Sequence, residues 1–163
     1  MAKKILFVCT GNTCRSSMAE AIAAKLLAEN QEKYADLTIT SAGTYALDGV
    51  QATSEAVEVA KEQGLNLHDF RSKSINPSLI SEADIILTMT KSHKQELINL
   101  APEAKDKTFL LKEFAEMLEK QFGKEIDSLE VRDPFGQPLE VYRACYYEMY
   151  EAIEKALDKI RRD

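Results

Sequence analysis

The stretch "KKILFVCTGNTCRSSMAEAI" (Lys3–Ile22) constrains the fold of this chain more than any other segment. Its apolar run reads as a buried β-strand over Lys3–Val8, and Met18, Ile22 and Leu26 then recur at helical spacing. Between them lies a short loop, Cys9 to Ser16, with a glycine, an asparagine, two cysteines and an arginine. A strand that passes through a short loop into a helix is the opening of a βαβ unit, which commits the chain to a parallel sheet.

The rest of the sequence keeps the alternation. Strands are expected at Leu37–Gly43, Asp84–Met89 and Lys107–Leu111. Helices are expected from Thr53 or Ser54 to a stop at Gly64, from Lys91 to before Pro102, over "KEFAEMLEKQF" (Lys112–Phe122), and from Leu139 to Ile160. The expected fold is a single α/β domain over residues 1–163: a four-stranded parallel sheet with helices on both faces and a phosphate-binding loop after the first strand. Ligands of such sheets bind at the carboxyl ends of the strands, and Cys9 lies at that edge.

The loop residues suit an oxyanion. The free N–H groups at the start of a helix point into the loop, and Gly11 and Asn12 tolerate the left-handed backbone that turns successive amides inward. Arg15 adds a planar fork matched to two phosphate oxygens. Thr10, Gly11, Asn12, Thr13, Cys14, Arg15 and Ser16 would thus cradle a phosphate above the Cys9 sulfur. The same electropositive cup favours a nucleophilic thiolate, to which Ser16 can donate a hydrogen bond. A cysteine followed six positions later by an arginine is a common spacing. The strand before, the helix after and the glycine and asparagine between give it meaning.

Composition sets the surroundings. The net charge of −6 and pI near 5.1 argue against nucleic acid or an anionic membrane as a partner, so a phosphorylated substrate needs a local positive pocket. Three cysteines, Cys9, Cys14 and Cys145, do not form a disulfide framework, and no apolar run is long enough for a signal peptide or a membrane span. A reducing cytoplasm is the expected compartment. His93 is expected on the surface, and Cys145 on the buried stripe of the last helix. The oligomeric state is left open.

"VCTGNTCRS" resembles the signature loop of the low-molecular-weight protein tyrosine phosphatase family. The likeness extends in order through "SAGT" (Ser41–Thr44), "GLNLHDFRSKSI" (Gly64–Ile75), "ADIILTMTKSHK" (Ala83–Lys94) and "DPFG" (Asp133–Gly136). It implies that Cys9 is the nucleophile, that Arg15 binds phosphate and the transition state, and that Asp133 is the general acid. Asn12, Ser16, Ser41 and His68 would hold the loop in shape, with Tyr45 and Phe135 as substrate walls. No metal or cofactor is implied. Ser17 departs from the proline often found at that helix start.

Thr13 bears on the substrate. Tyrosine-specific members usually carry an aliphatic residue there, whereas "CTGNTCRS" resembles the protein-arginine-phosphatase branch. A threonine hydroxyl can bond a guanidino nitrogen, which an isoleucine would leave unpaired. The implied function is hydrolysis of phosphoarginine on proteins through a phosphocysteine intermediate. A tyrosine phosphatase of the same mechanism is the alternative, with a non-hydrolytic phosphocysteine carrier or phosphate sensor more remote. Arsenate reduction is disfavoured because only Cys145 remains as a further thiol. A reversible Cys9–Cys14 disulfide would shield the nucleophile from overoxidation, and whether the two thiols meet is left open by the sequence.

Overall fold

The computed structural model describes residues 2–115 and 129–162. Strands β1 (Lys3–Cys9), β2 (Leu37–Gly43), β3 (Ile85–Thr88) and β4 (Thr108–Leu110) form one sheet in the order β2-β1-β3-β4. All three pairings are parallel. Around them lie helices α1 (Arg15–Glu29), α2 (Ser54–Glu62), α3 (Pro77–Glu82), α4 (Lys91–Leu100), α5 (Leu111–Phe114) and α6 (Leu139–Arg162). A 3₁₀ turn over Pro102–Lys107 leads into β4.

The alternation of β1 side chains divides the core into two. Ile5, Phe7 and Cys9 face a large cluster that includes Met18 and Ile22 of α1 and Tyr142, Tyr146 and Met149 of α6. Leu6 and Val8 face a smaller cluster with Ile80 of α3 and Leu97 of α4. Period-two side chains on a strand covered from both sides explain why β1 reads as an unbroken apolar run. From β1 the chain moves first to β2 on one side and later to β3 on the other. The strand order therefore reverses between β1 and β3, and the crevice at their carboxyl ends is where such sheets take ligands.

The expected strands agree with those found to within a residue at either end, and the last helix runs on to Arg162. Two short elements are additional, α3 and the 3₁₀ turn. Of the helix expected over Lys112–Phe122, residues 112–114 are helical as part of α5, which starts one residue earlier, and residues 116–122 lie outside the described residues. No helix among the described residues is long and apolar enough to cross a membrane.

Candidate active site

The loop after β1 turns at Asn12, the one non-glycine among the described residues with a positive φ, +59°. Gly11, also expected to supply left-handed backbone, does not use it. The loop is pressed against the end of β2. A Cβ on Gly43 would stand 2.3 Å from the Thr10 carbonyl oxygen and 2.9 Å from the Asn12 nitrogen, so only glycine fits there. Thr44 and Tyr45 donate their N–H groups to the carbonyls of Cys9 and Thr10 at 2.9 and 3.0 Å, which fixes the loop from that side.

Hydrogen-bond bookkeeping sets the polarity behind the loop. The Asn12 Oδ1 accepts the Lys73 N–H at 2.8 Å, so its Nδ2 faces the serines and donates to Ser16 Oγ (2.7 Å) and Ser41 Oγ (3.0 Å). Ser41 donates onward to the Glu20 carboxylate at 2.8 Å. Ser16, already an acceptor, keeps its own proton for the Cys9 sulfur 2.9 Å away. Asn12, Ser16 and Ser41 are all fully buried, and Cys9 is 2% exposed. The network thus presents a hydroxyl donor to the Cys9 sulfur.

In front of the sulfur the loop is rich in unsatisfied donors. The amides from Gly11 to Ser16 have no hydrogen-bond partner among the described residues. Helix α1 has no acidic residue in its first turn and no side-chain cap, which leaves its N-terminal amides open among the described residues. Arg15 is 4% exposed, and its Nε is buried without a partner. Its Nη1 donates to the Val131 carbonyl at 3.0 Å, and its Nη2 lies 3.7 Å from Asp133 Oδ2. A buried guanidinium with an orphan N–H beside free amides is a site built for an anion.

Asp133 is thus brought to the Arg15 guanidinium from a distant loop, its side chain 54% exposed at the rim. The Phe135 N–H donates to its Oδ1 at 3.0 Å. Phe135 and Tyr45 are exposed on the two loops that flank the cup, from before α6 and after β2. Thr13 is half-buried, and its hydroxyl has no side-chain hydrogen-bond partner among the described residues besides the Cys14 sulfur at 4.0 Å. Cys14 turns away from the anion cup toward Tyr142 Oη (3.4 Å) and Thr53 Oγ1 (3.6 Å), and burial raises its thiol pKa. Cys145 is buried as expected, and burial pushes its thiol up to about 12.

Two histidines exchange the places expected of them. His68, expected in the loop-supporting network, is exposed in the turn after α2, where its N–H bonds Asn66 and its carbonyl bonds Arg71. The contact to Asn12 from this segment is made instead by the Lys73 backbone. His93, expected on the surface, is 3% exposed. It is the third residue of α4 and folds back on the cap residue Thr90, which carries its Nε2 to within 2.8 Å of Thr10 Oγ1. The polar neighbours Lys91, Ser92 and Lys94 hide it in the sequence; the Thr90-x-x-His93 spacing of a capping box is the signal that could have found it.

Comparison with known proteins places the chain in a well-populated group. The sequence model described as low molecular weight phosphotyrosine protein phosphatase matches residues 4–163. A protein-arginine-phosphatase of Geobacillus stearothermophilus is 40% identical over 163 residues, covering 100% of this chain and 99% of the relative. The solved low molecular weight protein tyrosine phosphatase from T. tengcongensis superposes with a TM-score of 0.82 at 42% identity, covering 97% of this chain and 99% of that one. A cysteine-to-serine mutant of YwlE arginine phosphatase with a phosphorylated active-site serine superposes with a TM-score of 0.86 at 31% identity, covering 98% and 97%.

Proposed function

The chain belongs to the low molecular weight phosphotyrosine protein phosphatase family, and on that premise we propose that it hydrolyses phosphoarginine on proteins through a phosphocysteine at Cys9. The observation that carries the chemistry is the cup itself: a thiol with a donor behind it, and free amides and the orphan Arg15 Nε in front.

In the first step the Cys9 thiolate attacks phosphorus as the bond to the leaving group breaks. Charge on the equatorial oxygens is met by the loop amides and Arg15. Asp133 gives its proton to the departing guanidino nitrogen, which leaves as arginine. In the second step the Asp133 carboxylate takes a proton from water, the water oxygen attacks phosphorus, and the S–P bond breaks to return the thiolate. The salt bridge of Asp133 to Arg15 supports this role, since it holds the carboxylate at the mouth of the cup from the rim. Ser16 stabilises the thiolate both as attacking and as leaving group.

Two observations favour arginine. The relative from Geobacillus stearothermophilus is a protein-arginine-phosphatase matched over 99% of its length, and Thr13 offers a hydroxyl with no strong partner among the described residues. The likeness to the T. tengcongensis tyrosine phosphatase favours a second reading, phosphotyrosine hydrolysis by the same steps. Arsenate reduction finds no support in Cys145, whose burial and raised pKa disqualify it as a resolving thiol.

The mechanism is tested by rapid quench and mass spectrometry with a phosphoarginine peptide. Phosphate should appear transiently on Cys9, persist in Asp133→Asn, and be absent from position 9 in Cys9→Ala, which offers no nucleophile. A phosphoenzyme equally stable in the parent and in Asp133→Asn would instead mark a carrier that does not turn over.

A further inference from the structure

Thr10 follows the nucleophile directly, and unlike the buried residues behind the loop it is exposed. Its carbonyl is held by Tyr45 on the β2 side, and its hydroxyl by His93 on the β3 side. The Thr10–His93 bond therefore spans the crevice where the strand order reverses.

The proton positions in this pair follow from what each atom can do. The Thr90 N–H, which can only donate, lies 3.2 Å from His93 Nδ1. Nδ1 must accept, so the ring proton sits on Nε2 and is donated to Thr10 Oγ1 at 2.8 Å. Thr10 is thus an acceptor within the protein, and no other side chain bonds its hydroxyl among the described residues. Its own proton and a second lone pair are left without a partner among the described residues, on an exposed residue. Burial first, and the Arg15 charge second, hold the His93 pKa at about 4, so the ring keeps this proton pattern at neutral pH.

The loop then carries two hydroxyls with unused capacity, those of Thr10 and Thr13. A phosphorylated guanidinium presents N–H donors around the bond that breaks, whereas a phosphorylated phenol presents only ring C–H. We infer that Thr10, held in place by His93, is a second specificity-determining residue that accepts an N–H of the phosphoguanidinium group at the lip of the phosphate loop. The inference rests on the phosphoarginine reading and adds to it. His93 acts as a positioning residue: it sets which way the Thr10 hydroxyl faces.

The experiment measures kcat/KM on matched phosphoarginine and phosphotyrosine peptides for the parent, Thr10→Val, Thr10→Ser, His93→Phe and the Thr10→Val/His93→Phe double variant. Valine keeps the shape of threonine and loses its hydroxyl; phenylalanine fills the imidazole's space without its donor. Thr10→Val should lower the phosphoarginine-to-phosphotyrosine ratio about 10-fold, the range expected for one unpaired hydrogen bond. Thr10→Ser should restore most of the ratio. His93→Phe should lower it less than Thr10→Val, with no further loss in the double variant. A ratio unchanged within about twofold in Thr10→Val, or one that serine fails to rescue, overturns the inference while leaving phosphoarginine as substrate. A parent that turns over phosphotyrosine alone overturns both, and that outcome is read from the parent before any variant.

Discussion

The two sides of the phosphate loop are built by opposite rules. Behind it, Asn12, Ser16 and Ser41 are fully buried, their hydrogen bonds run in one direction, and Gly43 leaves no room for an extra methyl. In front, Tyr45, Phe135 and Asp133 stand on exposed loops, held by few contacts. The difference teaches where a protein of this kind stores its chemistry and where it stores its choice of substrate. The rear shapes the anion cup and the thiolate, which every phosphorylated substrate needs, so its substitution acts on stability and on all substrates alike. The front meets the part of the substrate that varies. Its residues are constrained by little except what they touch in the substrate.

The largest way to sharpen this contrast lies at Asp133. Asp133→Asn should reduce kcat by about 10²- to 10⁴-fold while leaving thermal stability unchanged, because its side chain is half in solvent. Steady-state kinetics beside a melting curve separate the two effects. At the rear, Gly43→Ala should cost about 2–3 kcal/mol, because the loop backbone it strikes is not free to yield. Urea denaturation reads this directly, and activity should fall equally on phosphoarginine and phosphotyrosine peptides. A rear substitution that changed the ratio between them would break the comparison.

His93 joins the two sides, and its protonation offers a third test. Its folded pKa lies near 4 against an ordinary 6.5, lowered by burial and by Arg15 and partly offset by Asp133. Between those values the unfolded chain binds a proton that the folded chain refuses. The stability contributed is therefore complete above pH 6.5 and is lost as pH falls toward 4. After allowance for solvent screening at the lip, the loss is on the order of 2 kcal/mol. Denaturation midpoints over that range should show a steeper acid loss in the parent than in His93→Phe. The smallest effect belongs to the rim: Tyr45→Ala should shift stability by less than about 0.5 kcal/mol and act through KM with protein substrates.

Much of this architecture could be read from the residues. The run Ile5–Val8, the loop after it and the helical spacing beyond determine the sheet edge at which Cys9 and Arg15 meet, because these are local patterns. What escaped depends on contacts between distant segments. The six-residue helix Pro77–Glu82 is too short for a hydrophobic period, although Asn76 as cap and Pro77 after it mark its start. His93 escaped because the burial of a helix's first turn depends on the loop opposite it. The hold on Asn12 from the segment after α2 is a backbone N–H, which no side-chain identity announces. The same is true of the Val131 carbonyl that orients Arg15.

The measurement that bears most directly on the account is the ratio of kcat/KM for matched phosphoarginine and phosphotyrosine peptides, in the parent and in Thr13→Ile, with Cys9→Ser as the blank. A strong preference for phosphoarginine is expected in the parent, and a shift toward phosphotyrosine in Thr13→Ile. A parent that prefers phosphotyrosine, with Thr13→Ile leaving the ratio where it was, would contradict it.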